Sequence, residues 1–153
     1  MATPFDVWAT PVGEAGLKSL QGKVKDRAQA KLRELEQQGC AAAGWRLQGL
    51  EGHICSVAIR DDQRLLTCFP AEDEVCVLVV GPHLGGPETP GDVYGEYYRA
   101  IGIEPPYPVG DRKHEQDCCD EDGAPVDSTA AEEFIAGAKS LAKQQRRKPR
   151  RAS

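Results

Sequence analysis

The chain has no run of about 18 or more apolar residues, so no stretch of it reads as a membrane-crossing helix. Met1 to Thr10 lack the basic segment followed by an apolar one that marks a secretory leader, and a cytoplasmic location is the resulting expectation. No CxxC pair and no internal repeat occur, which leaves neither the usual two-cysteine metal spacing nor a repeat architecture. Positive charge is scarce over the body. Residues 1–100 carry ten Lys/Arg against fourteen Asp/Glu, a balance of -4, and the whole chain stands at -5. A body that grips nucleic acid is usually basic, so this charge counts against such a role. The basic residues gather instead between Lys139 and Arg151, where seven occur with no acid among them. Such an end can contact nucleic acid or simply be solvated.

What is present suits one globular domain with an appendage: 153 residues, 40% hydrophobic and 28% charged. Cys55, Cys68 and Cys76 lie inside apolar runs and read as small hydrophobes of a reduced interior. Cys40 follows a helix stop, and Cys118 and Cys119 are neighbours in a polar stretch, poorly placed to bridge each other. His114, Cys118, Cys119, Asp120 and Asp122 offer zinc-type donors, but a second ligand pair is missing and vicinal cysteines rarely share a tetrahedral ion. No metal and no cofactor are expected.

Phe5, Val7 and Ala9 alternate as a short strand does. Pro11 opens a short helix over 12–20, and Lys23 to Gln38 forms the clearest helix, with Val24, Ala28, Leu32 and Leu35 on one stripe and Gly39 as its stop. Three strands follow at His53–Ile59, Arg64–Phe69 and Val75–Val80. Their joining turns are short enough to make them antiparallel neighbours, and the last is apolar throughout. Asp92 caps a short helix running to Ile101, which Pro105 and Pro106 stop. Residues 104–127 read as a polar, flexible linker, and Ser128 caps a final helix that leads into the basic tail. The expected division is thus 1–103, 104–127 and 128–153, with helices on one face of a small sheet.

The order of "WRLQGLEG", "HICSVAIRDDQRLLTCF", "EVCVLVVGPH" and "DVYGEYYRAIGI" after a strand and a helical hairpin is similar to the pattern of the RelE/ParE toxins, over about residues 5–101. The resemblance implies an α+β fold. In it a small antiparallel sheet packs against an N-terminal helical hairpin and a short C-terminal helix. It also implies the toxin of a type II toxin–antitoxin pair: a metal-independent endoribonuclease acting on mRNA at the ribosome, held by a cognate helix-turn-helix antitoxin. By the same likeness Arg64 contacts the scissile phosphate, His83 and Tyr94 take catalytic positions, and Arg60 helps to bind the backbone. Ser56 and Ala58 stand where RelE-type enzymes carry two lysines. That departure leaves open a ParE-like gyrase inhibitor and an inactive binding relative.

The residue types fit the chemistry. Cleavage by 2′-hydroxyl attack needs a base, a group to hold the pentavalent phosphorane and an acid for the 5′ oxygen. An arginine fork, a histidine and a tyrosine supply these. Each also has a plainer reading: Arg64 in an ion pair with Asp61 or Asp62, His83 in a solvated loop, and Tyr94 with Tyr97 in the core.

Overall fold

The computed structural model describes residues 4–60, 62–108, 116–123 and 125–147. Strand β1 (Asp6–Ala9) leads into α1 (Pro11–Ser19) and α2 (Gly22–Gln38); a 3-10 turn (Gly39–Ala42) precedes β2 (Trp45–Arg46), β3 (Cys55–Ala58), β4 (Gln63–Cys68) and β5 (Glu74–Pro82). Helix α3 (Val93–Ala100), β6 (Gln116–Asp117) and α4 (Ala130–Arg147) complete the order. The fold is α+β, with a six-stranded mixed sheet ordered β1-β5-β4-β3-β2-β6.

The sheet departs from the expected one in two ways. It is not wholly antiparallel: β1 runs parallel to β5, with Val7 opposite Val75. Short turns force antiparallel pairing only on β3, β4 and β5, whereas β1 returns to the sheet through a helical hairpin and is free of that constraint. Nor are the helices on one face. Ala28 and Leu35 of α2, with Leu17 of α1, pack on Val57, Leu65, Val75 and Val77. On the other face, Val93, Tyr97 and Tyr98 of α3 and Phe134 of α4 pack on Leu66, Cys76 and Leu78. A strand covered on both sides must be apolar at every position, which is why Val75 to Val80 is buried throughout.

Local chemistry accounts for the helix ends. Thr10 is buried; its Oγ1 accepts from the Gly13 N–H at 3.0 Å and donates to the Leu78 carbonyl at 2.6 Å, so one side chain caps α1 and ties it to β5. Gly39 ends α2 at φ +58°, where a side chain would strike the Phe5 ring. At α4 the capping oxygen is not that of Ser128 but Asp127 Oδ1, which accepts from Thr129 N, Thr129 Oγ1 and Ala130 N. Asp127 Oδ2 takes the His53 N–H. Gly137 then lets α4 lie directly against the Ala100 backbone of α3.

The cysteines depart further from expectation. Cys40 is bonded to Cys119 and Cys55 to Cys118, across 79 and 63 residues. Cys55 is therefore not a reduced hydrophobe, and the vicinal pair bridges outward to two different elements. Cys68 and Cys76 are free and buried as expected, facing each other across β4 and β5. The described part of 104–127, expected to be a flexible linker, is held on the body. Gln116–Asp117 pairs with β2, the two disulfides follow, and the Asp127 N–H donates to the Phe69 carbonyl at 2.8 Å. Spacing could not reveal these bridges, because each joins residues brought together only by the sheet.

Burial pulls the Asp127 carboxyl upward, but its bonds from Thr129, His53 and Ala130 outweigh this and hold it below its ordinary 3.8. A depressed carboxylate stabilises the fold above its unfolded value and loses that contribution as pH falls through the folded one. Wild-type thermal stability should therefore fall more steeply below about pH 4 than that of Asp127→Asn, as read by melting curves across that range. Equal slopes would remove Asp127 from the account of α4 docking.

Candidate active site

Alternation along the strands puts Ser56 and Arg64 on the sheet face that α3 covers, since Val57 and Leu65 between them point to the α2 side. Arg64 pairs in register with Ala58 on one side and Gly81 on the other. Two residues past Gly81, His83 leaves the sheet at the end of β5, where its N–H donates to the Asp62 carbonyl at 2.7 Å. Helix α3 begins ten residues later and lays Tyr94 over the same place. The Tyr94 hydroxyl lies 2.8 Å from Ser56 Oγ, and the positive charge of the nearby Arg64 favours the ionised form of that phenol. Arg64 Nη1 donates to the Gln63 carbonyl at 2.9 Å. The His83 ring meets the Tyr94 ring edge-on with centroids 5.0 Å apart.

Asp92 holds this group together. Its carboxylate is fully buried, and Oδ1 accepts the N–H groups of Tyr94 and Gly95 at the start of α3. Oδ2 accepts the Leu84 N–H at 2.7 Å and lies 3.0 Å from His83 Nδ1. A carboxylate can only accept, so Nδ1 carries the proton and the lone pair of a neutral His83 sits on Nε2. With its side chain 38% exposed, His83 opens the site to solvent. Burial pushes the Tyr94 phenol above 10, against the opposing pull of Ser56 and Arg64. Tyr94 is therefore a neutral O–H at physiological pH, able to donate a proton but not to abstract one.

Three of the four residues singled out from sequence, Arg64, His83 and Tyr94, thus meet at one patch. Arg60 lies on the exposed turn after β3, where its carbonyl accepts the Gln63 N–H at 3.0 Å. Asp61 lies outside the described residues. Tyr97, read as a core residue, is one: it stacks on Phe134 beneath α3. Two members of the site were missed. Ser56 was visible only as a departure from two lysines, and Asp92 only as a helix cap. The zinc-type donors are dispersed: Cys118 and Cys119 are in disulfides, Asp120 shapes a turn with Gly123, and His114 lies outside the described residues.

Chemically, the patch holds an oriented imidazole, a neutral phenol and a guanidinium within one cluster. It can accept a proton, donate another and stabilise an anion between them. No protein-family model and no curated protein matches the chain.

Asp92→Asn keeps an oxygen able to cap α3 but cannot accept Nδ1–H and all three amides as a carboxylate does, whereas Asp92→Ala strands every donor. The alanine variant should lose about 2–4 kcal/mol of stability and the asparagine variant less than half of that. Long-range nitrogen–proton NMR of the His83 ring should show the Nδ1–H tautomer in wild type and a mixture in Asp92→Asn. A His83 spectrum identical in the two proteins would refute the orienting role.

Proposed function

We propose that this chain is a RelE/ParE-type toxin that cleaves mRNA by internal 2′-hydroxyl attack without a metal. The convergence of Arg64, His83 and Tyr94 from β4, the end of β5 and α3 carries the reading. In the reaction, Nε2 of His83 takes the 2′-hydroxyl proton and Asp92 supports the imidazolium that forms. Arg64 balances the charge growing on the phosphorane, as a guanidinium fork does for phosphate oxygens. Tyr94, kept protonated by burial, gives its proton to the departing 5′ oxygen. Ser56, tied to the phenol, positions it. Arg60 on the rim engages the flanking backbone.

The mixed sheet with a helical hairpin on one face supports a RelE-like arrangement, although the second face is also covered. The acidic body is accompanied by positive charge that begins on α4. Helix α4 packs against α3, its Lys139 and Lys143 are exposed, and the basic tail follows them. A cognate antitoxin and the ribosome are the partners this reading implies, with action in the cytoplasm. Among the described residues no helix is long and apolar enough to cross a membrane. One observation favours a second reading, a ParE-like gyrase inhibitor: the position of a family lysine is held by Ser56, whose hydroxyl is engaged with Tyr94.

Arg64→Ala and His83→Ala should each slow cleavage of ribosome-bound mRNA by about 100-fold or more and relieve growth inhibition. Tyr94→Phe should show a similar loss on RNA that shrinks on an activated aryl phosphodiester, whose leaving group needs no proton. Intact ribosome-bound mRNA alongside arrested gyrase supercoiling would replace this reading with the second one.

A further inference from the structure

His53, Cys55 and Cys118 bring their ligand atoms within 4.8 Å of one another. We propose that these three side chains form a redox-gated zinc site: oxidised, Cys55 and Cys118 are a disulfide, and reduced, they bind Zn2+ together with His53. The donor types are those zinc prefers, two thiolates and an imidazole. Ligand atoms around one tetrahedral Zn2+ stand about 3.8 Å apart when both are sulfur, with Zn–S near 2.3 Å. Opening the disulfide to that separation and drawing His53 inward therefore needs side-chain rotations, not a new backbone.

Three further features favour an ion there. Cys55 and Cys118 are both fully buried, so their reduced forms would be two thiols enclosed beside an imidazole, with little water to satisfy them. His53 donates its Nε2–H to the Cys118 carbonyl at 2.7 Å, which leaves Nδ1 as the ring atom that can face an ion. Finally, among the described residues the segment carrying Cys118 is held by a two-residue strand, by the Cys118 N–H to the Gly44 carbonyl at 3.3 Å and by the Cys118 carbonyl to His53. Zn2+ would close the same 63-residue loop as the disulfide and keep that segment on the sheet after reduction.

The exchange balances. A dithiol reductant gives two electrons and two protons to the Cys55–Cys118 bond and becomes a disulfide itself. Zn2+ then displaces one proton from each thiol. Three protein ligands leave a fourth position for water.

The test uses the whole chain, reduced anaerobically with a phosphine and titrated with Zn2+ alone. Native mass spectrometry should find one ion per reduced chain and none on the oxidised chain, and Co2+ should give thiolate-to-metal absorption. Affinity should fall at least about 100-fold in Cys118→Ser and in His53→Ala, but stay unchanged in Cys76→Ser. Alkylation of the wild type, which depends on no variant folding, should show Zn2+ protecting Cys55 and Cys118. Absence of Zn2+ from the reduced chain, full affinity in His53→Ala, or protection confined to Cys40 and Cys119 would each overturn the assignment.

Discussion

Asp92 places a fully buried carboxylate where the end of β5, the following loop and the first turn of α3 meet, and it receives four donors there. Burying such a charge is costly unless it is fully hydrogen-bonded, so the three segments are held in one mutual geometry. Tyr94 is two residues from Asp92 on the helix, and His83 is bonded to it directly. The carboxylate that starts α3 therefore also sets the distance between phenol and imidazole. Structure and chemistry share one group, which is why the site sits at a helix N-terminus and not on a loose loop.

The sheet supplies the rest of the precision. Covering both faces makes β5 rigid and apolar, so Gly81 and His83 emerge from a strand that cannot slip register without exposing its valines. Ser56 and Arg64 sit on neighbouring strands whose register is fixed by the same burial. The two disulfides fasten β6 and the residues after it to β3 and to the exit of α2. On β3 the two proposals meet at neighbouring residues, Ser56 beside Tyr94 and Cys55 bonded to Cys118.

Charge is unevenly distributed along the chain. The acidic residues are spread over the body, and the positive charge that the proposed reading gives to RNA contact begins on α4, which packs against the helix that bears Tyr94. Attraction of a polyanion would come from the end of the chain, while the cluster itself holds one guanidinium for the reacting phosphate.

Read alone, the sequence determined what depends on neighbours along the chain. The stripe of Val24, Ala28, Leu32 and Leu35 specified α2, the turn chemistry between 60 and 74 specified three antiparallel strands, and Asp92 and Gly39 marked helix ends. Arg64, His83 and Tyr94 were legible as candidates through their order relative to these elements. Tertiary structure alone decided what depends on contacts between distant residues. It paired β1 parallel to β5 and put helices on both faces. It joined Cys40 to Cys119 and Cys55 to Cys118 and turned Ser56 into a partner of Tyr94. It also gave Asp92 a second task at His83. The reason is physical: periodicity and capping act over one or two turns of chain, whereas a disulfide or a buried hydrogen bond needs two side chains whose approach only the packed sheet can fix.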